Sequence, residues 1–175
     1  MQKALTNYAF IDAQNIHLCV KQDGWILDWK NFLILLREKF GTRKAYIFIG
    51  YWEKNSDLYS FLRQLGYTLI FKEISQFEGK IKGNVDVELA VRSVLDLHYY
   101  SKAIIVSNDG DFSYLVSELQ ERGKLKTVIC TSPRAASGVL KRTAKNEIFF
   151  LSTVKHFLDY KRPPKDGRPP RLRGF

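Results

Sequence analysis

The chain has 175 residues, 45% of them hydrophobic, with twelve Phe, nine Tyr and three Trp. That composition suits one globular domain with a real core and excludes wholesale disorder. Lys and Arg number 28 against 18 Asp and Glu, a net charge of +10 that points toward a polyanion, most often nucleic acid.

Several classes fall away at once. The longest unbroken apolar run, Phe32 to Leu36, is far below the ~20 residues of a membrane span. The opening MQKALTNYAFID has no long apolar segment and no small-residue cleavage site, so no signal peptide is expected and the protein is read as cytoplasmic. Cys19 and Cys130 have no metal-type spacing and read as reduced, buried thiols. No GxxxxGK[ST] or GxGxxG run occurs, which argues against a nucleotide-phosphate loop. His17, His98 and His156 lack ligand spacing, and His17 reads as a helix-surface residue.

In chain order, Tyr8 to Ile11 predicts a short strand ending at Asp12, and Gln14 to Val20 a short helix. Trp29 to Phe40 carries apolar residues at 29, 32, 33, 36 and 40, a helical period stopped by Gly41. Ala45 to Ile49 is a strand. Asn55 or Ser56 caps a helix with apolar positions 58, 61, 62 and 65, closed by Gly66. Tyr67 to Phe71 is a strand, and the polar stretch from Glu73 to Asn84, with two glycines, reads as a loop. Asp86 to Leu97 is a helix, Ala103 to Val106 a strand, and Phe112 to Arg122 a helix stopped by Gly123. Thr127 to Cys130 is a strand, Ala135 to Arg142 a short helix, and Ile148 to Leu151 a last strand. Ser152 is placed to cap a helix from Val154 to Tyr160.

Strands alternating with helices at this spacing imply an α/β fold: a mostly parallel sheet with helices on both faces. Burial on both sides explains why 45–49 and 103–106 are continuous apolar runs. Residues 1–160 read as one domain and residues 161–175 as a flexible basic tail. The tail, KRPPKDGRPPRLRGF, holds four of the five prolines and six basic side chains against one acid, so half of the net charge lies there.

In open parallel sheets, ligands bind outside the carboxyl ends of the strands, near the point where strand order reverses. Asp12 stands after the first strand, Asp109 and Asp111 after the strand 103–106, and Asp86 at a helix start, with Glu88 two residues on. If the first strand lies beside 103–106, these acids share one crevice. Two carboxylates about 5 Å apart repel by roughly 3 kcal/mol at an effective dielectric of ~20. Such a cluster needs protons or a hard divalent cation with oxygen ligands, Mg²⁺ or Mn²⁺. A carboxylate-held metal in a basic protein suggests phosphodiester hydrolysis. Helix capping is the ordinary role of Asp12, Asp86 or Asp111 taken singly. Asp109 sits in Ser107-Asn108-Asp109-Gly110-Asp111, which carries more acid than a cap requires. Glu88 reads as a solvated helix residue.

Three segments carry a resemblance: Phe10-Ile11-Asp12-Ala13-Gln14-Asn15, Lys82-Gly83-Asn84-Val85-Asp86 and Ser107-Asn108-Asp109-Gly110-Asp111-Phe112. In this order they resemble the NYN domain in its LabA-like group, a branch of the PIN-like nucleases, over about Asn7 to Leu151. The resemblance implies a three-layer α/β/α, Rossmann-like fold and a Mg²⁺- or Mn²⁺-dependent ribonuclease acting on RNA. It assigns metal-binding, catalytic roles to Asp12, Asp86, Asp109 and Asp111. Asn15 falls on the family's polar position beside the first acid, and Ser107 on its serine before the last pair. Asn84 departs from the family's tighter Lys-Gly-Val-Asp.

Lys80 and Lys82, between Gly79 and Gly83, are candidate phosphate contacts or a solvated loop. Arg134, with Lys141, Arg142 and Lys145, follows another strand end and reads as a phosphate-contacting rim or a solubilising face. Tyr51 and Trp52 follow the strand 45–49, where they could stack a base or serve packing. A non-catalytic RNA-binding or regulatory module on the same fold is the alternative to a nuclease.

Overall fold

The structure, a computed structural model, describes residues 6–73, 75–77, 80–82 and 85–160. Its centre is a sheet of β1 (Asn7–Asp12), β2 (Thr42–Tyr51), β3 (Thr68–Glu73), β6 (Ala103–Val106), β7 (Leu125–Cys130) and β8 (Ile148–Phe150). The order is β3-β2-β1-β6-β7-β8 and every pairing is parallel. The chain works outward from β1 to β3, crosses back to lay β6 against β1, then works outward again. The switch point therefore lies between β1 and β6, with Tyr8 to Ile11 in register with Ala103 to Val106.

Side chains alternate along these strands, so one strand feeds two cores. Ala9, Ile11, Ile104, Val106 and Ile129 face one layer. There they meet α1 (Ala13–Gln22), α2 (Trp29–Phe40), α3 (Ser56–Leu65) and α7 (Lys155–Leu158). Phe10, Ile105, Val128 and Cys130 face the other. Leu89 of α4 (Asp86–Leu95), Val116 of α5 (Ser113–Glu121) and Leu140 of α6 (Gly138–Ala144) close that layer. Phe10 and Phe48 are fully buried and stack with ring centres 6.5 Å apart. Truncating either to Ala costs about 3–5 kcal/mol.

Local chemistry sets the boundaries. Asp28 caps α2 by accepting from the N–H groups of Lys30 and Asn31, and Gly41 ends it at φ 64°. Gly66 closes α3 at φ 107°, but the Asn55 side chain makes no capping bond. Ser152 does not cap either: residues 151–154 form a 3-10 turn and α7 is only four residues long. α6 begins at Gly138 rather than Ala135. The N–H groups of Ala136 and Ser137 are taken by the carbonyls of Ser132 and Asn108, which holds 135–137 in a turn. The segment expected as a loop from Glu73 instead contains an antiparallel pair, β4 (Ser75–Phe77) with β5 (Lys80–Lys82). No described helix is long and apolar enough to cross a membrane.

Candidate active site

The carboxyl ends of β1 and β6 open into a cleft of about 210 Å³ lined by Asp12, Gln14, Asn15, Leu18, Val85, Asp86 and Asp109. Three elements deliver the acids. Asp12 is the last residue of β1 and caps α1, accepting from the Asn15 N–H at 3.1 Å. Asp86 is the first residue of α4, whose cap position is Val85, so Asp86 is not the N-cap. Asp109 accepts from the Asp111 N–H at 3.0 Å across a one-turn 3-10 helix, Gly110–Phe112. Asp111 lies inside that turn, exposed. Capping thus describes Asp12 and Asp109, but not Asp86 or Asp111.

Each of Asp86, Asp109 and Asp111 offers a carboxylate oxygen within 4.8 Å of the other two. Asp12 lies deeper, 6% exposed. Burial pushes its carboxyl up to about 6, the charges of Asp86 and Asp109 push the same way, and the Asn15 N–H and Ser107 hydroxyl pull against them. None of the ion pairs between described residues involves Asp12, Asp109 or Asp111. A hard divalent cation fits this donor set: all-oxygen, anionic, and close enough together for one ion to meet several ligands.

The loop behind the acids is held by a relay of amides. Asn15 Oδ1 accepts from both the backbone N–H and the Nδ2 of Asn108, each at 2.9 Å. Asn108 Oδ1 accepts from the N–H of Thr131 at 2.9 Å and from its hydroxyl at 3.0 Å. Helix α1, the β6 loop and the end of β7 are thereby tied together beside Asp109. Ser107 is fully buried; its Oγ accepts from the Asp109 N–H at 3.2 Å and stands 3.5 Å from Asp12 Oδ2. Its carbonyl accepts from the Cys130 thiol, which burial pushes up to about 12. Gly110 permits one further approach. A Cβ there would lie 2.5 Å from Ser137 Oγ and 3.3 Å from Ser137 Cβ.

Sequence reasoning passed over Asn108, Thr131 and Ser137. Each acts through a long-range side-chain contact that has no local period; the one available signal was Asn108 standing between Ser107 and Asp109. Gln14, in the first turn of α1, and Leu18, one turn further on, also line the cleft. Arg134 is exposed on the turn after β7 and outside the cleft lining. Lys80 and Lys82 lie on β5, and their side chains are outside the described residues, as is the tail 161–175. Glu88 pairs with Lys72 at 3.2 Å. Tyr51 is half exposed and stacks on Tyr59, while the Trp52 N–H donates to the Tyr59 hydroxyl. His17 is partly buried and outside the cleft lining; burial, then Lys21, pulls its pKa down.

Comparison with known proteins agrees with this fold. The Low amplitude and bright protein LabA of Synechococcus elongatus is 24% identical over an alignment of 168 residues, with 89% of each chain covered. A crystal structure of a protein of unknown function from Vibrio parahaemolyticus superposes with a TM-score of 0.71 at 25% identity. It covers 86% of this chain and 95% of its own. The model of the NYN domain matches residues 8–152 and so spans every acid of the cleft. The chain belongs to the NYN domain family, which implies the fold of the PIN-like nucleases.

Proposed function

We propose that the protein is a Mg²⁺- or Mn²⁺-dependent endoribonuclease that hydrolyses phosphodiester bonds in single-stranded RNA, and that it works in the cytoplasm. One observation carries this reading. Three carboxylates from two separate elements meet within 4.8 Å, beside a fourth that burial holds near a pKa of 6. Folding opposes such an arrangement unless a cation compensates it.

Asp12, Asp86, Asp109 and Asp111 are the residues that hold the metal. When bound, the ion supplies positive charge against the phosphoryl oxygens and activates water for attack. The protein's own groups do the rest. The Asn108 relay and the Ser107 hydroxyl keep Asp12 and Asp109 in place, so the charge need not reorganise during the reaction. Asn15 has its Oδ1 occupied by Asn108 and keeps its Nδ2 hydrogens to offer a phosphate. Lys80 and Lys82, before Asp86, and Arg134, after β7, are the candidate cations for flanking phosphates.

The test is Asp109→Asn, assayed beside the wild type on labelled single-stranded RNA with Mn²⁺ at fixed salt. Asn caps a helix about as well as Asp, so the fold is retained. Metal affinity is expected to fall, because an amide oxygen is a weaker ligand than a carboxylate. Cleavage is expected to drop by orders of magnitude while RNA binding persists or tightens, one repelling charge having gone. Equal cleavage by both proteins removes Asp109 from the site. RNA binding with no cleavage by either assigns the fold to a non-catalytic RNA-binding role.

A further inference from the structure

The far end of the sheet carries a second assembly of a different kind. Lys44 is the third residue of β2, and Lys102 and Lys124 immediately precede β6 and β7; together they flank Tyr8, the second residue of β1. Tyr8 is in register with Lys44 on one side, and its N–H donates to the Lys102 carbonyl at 3.1 Å on the other. The Ala103 N–H donates to the Lys124 carbonyl at 2.7 Å. The three lysines therefore sit on a rigid edge that spans three strand spacings, about 14 Å.

Aromatic rings fill the space between them. Lys44 Nζ lies 4.6 Å from the Tyr46 ring centre and 5.8 Å from that of Tyr8. The Tyr8 and Tyr100 rings are 5.6 Å apart. Lys124 Nζ lies 5.5 Å from the Tyr100 ring and donates to the Tyr100 carbonyl at 2.9 Å. The acid inside this assembly is already occupied: Asp96 accepts from the Tyr46 hydroxyl and pairs with Arg92 at 3.5 Å. None of the ion pairs between described residues involves Lys44, Lys102 or Lys124. Nor do they serve as counter-charges in the last turn of a helix, where α2, α3, α4 and α6 place other basic residues. Lys102 is exposed, and Lys44, Lys124 and Tyr8 are partly so.

The geometry points to a second binding surface, at the amino end of the strands, that takes the sugar-phosphate backbone of single-stranded RNA, with Lys44, Lys102 and Lys124 on phosphates and Tyr8 as a base-stacking ring. This rests on the ribonuclease reading. It also answers a difficulty in that reading: a phosphate strand is repelled by four carboxylates until a metal neutralises them. Tyr8 is four residues, about 13 Å, from Asp12 along β1. Cations at that distance give affinity without weakening the acids' hold on the metal. Aligned cations and an aromatic ring are the elements by which proteins hold single strands without reading their sequence.

The experiment measures affinity of the full chain for fluorescein-labelled 20-nucleotide oligo(U) by anisotropy in EDTA, over a range of salt concentrations. EDTA removes the metal and leaves the basic surface alone. The triple variant Lys44→Gln, Lys102→Gln, Lys124→Gln is expected to flatten the log–log salt slope by about 2, from three phosphates at ~0.7 each. A control triple, Lys21→Gln, Lys30→Gln, Lys54→Gln, removes equal charge elsewhere and is expected to leave the slope close to wild type. Lys102→Glu alone, an exposed change, should weaken binding and serves if the triple variant does not fold. A slope unchanged in the triple variant, or flattened as much by the control, overturns the surface while the ribonuclease reading stands. No salt-dependent binding by the wild type overturns the RNA reading itself, and the surface with it.

Discussion

Asp12 offers a measurement of the strain in the acidic cluster that needs neither metal nor substrate. Its carboxyl, ordinarily at 3.8, is pushed up to about 6, chiefly by burial. At about 1.36 kcal/mol per pKa unit, ionising it in the folded chain costs about 3 kcal/mol more than in the unfolded chain. The sign follows from which state binds the proton more tightly. Here that is the folded state, so stability is lost as pH rises from about 4 through 6, and the full cost applies above that. Asp12→Asn removes the charge and keeps the cap on Asn15. In EDTA the variant should match the wild type near pH 4 and exceed it by about 3 kcal/mol near pH 8. For a chain of this size that is a rise in Tm of about 6–12 °C. Paired thermal melts across that pH range decide it. A difference that stays constant with pH refutes the claim that burial holds Asp12 away from its ordinary titration, and with it the electrostatic case for a cation.

Mn²⁺ at a hundredfold excess over its Kd should stabilise the wild type by about 2.7 kcal/mol; an unchanged melting temperature at millimolar Mn²⁺ counts against the site. Deleting residues 161–175 removes six basic side chains and should flatten the salt slope of single-strand binding by about 4. If full-length and truncated proteins share one slope, the tail does not bind nucleic acid. Gly110→Ala places a methyl 2.5 Å from Ser137 Oγ and should destabilise by about 1–3 kcal/mol. Adding Ser137→Gly should recover most of that, and melts identical for Gly110→Ala and wild type would show that the approach is not tight.

The features legible in the sequence were those with a local cause. Trp29–Phe40 was bounded correctly because its apolar residues repeat at helical spacing and Gly41 ends it. The strands 45–49 and 103–106 showed themselves as parallel and buried because they do not alternate. The strand-end rule brings Asp12 and Asp109 into one cleft only if the first strand lies beside 103–106, and the β1–β6 pairing meets that condition. The β4–β5 pair was lost because strands of three residues each are too short to show a period of two. The late start of α6 was lost for another reason. Its preceding turn is held by the Asn108 carbonyl, 29 residues earlier in sequence. The Asn15–Asn108–Thr131 relay was invisible in the same way, since it joins residues 93 and 23 positions apart.

Charge is distributed along the sheet in a way that its sum conceals. A net charge of +10 describes a basic protein, yet the carboxyl ends of β1 and β6 carry a cluster of acids. The amino ends of β2, β6 and β7 carry Lys44, Lys102 and Lys124, the first and last of them over tyrosine rings. The two tasks of a metal-dependent nuclease make opposite demands. Holding a divalent cation needs unneutralised carboxylates, and holding a polyanion needs unneutralised ammonium groups. Placed together they would pair and cancel, each drawing down the affinity the other needs. A parallel sheet has two distinct ends, and four residues of β1 put about 13 Å between Tyr8 and Asp12. At physiological salt, where the screening length is about 8 Å, that separation leaves the two sets largely independent. The same fold that gathers the acids at the switch point thus leaves its other end free to supply the positive charge.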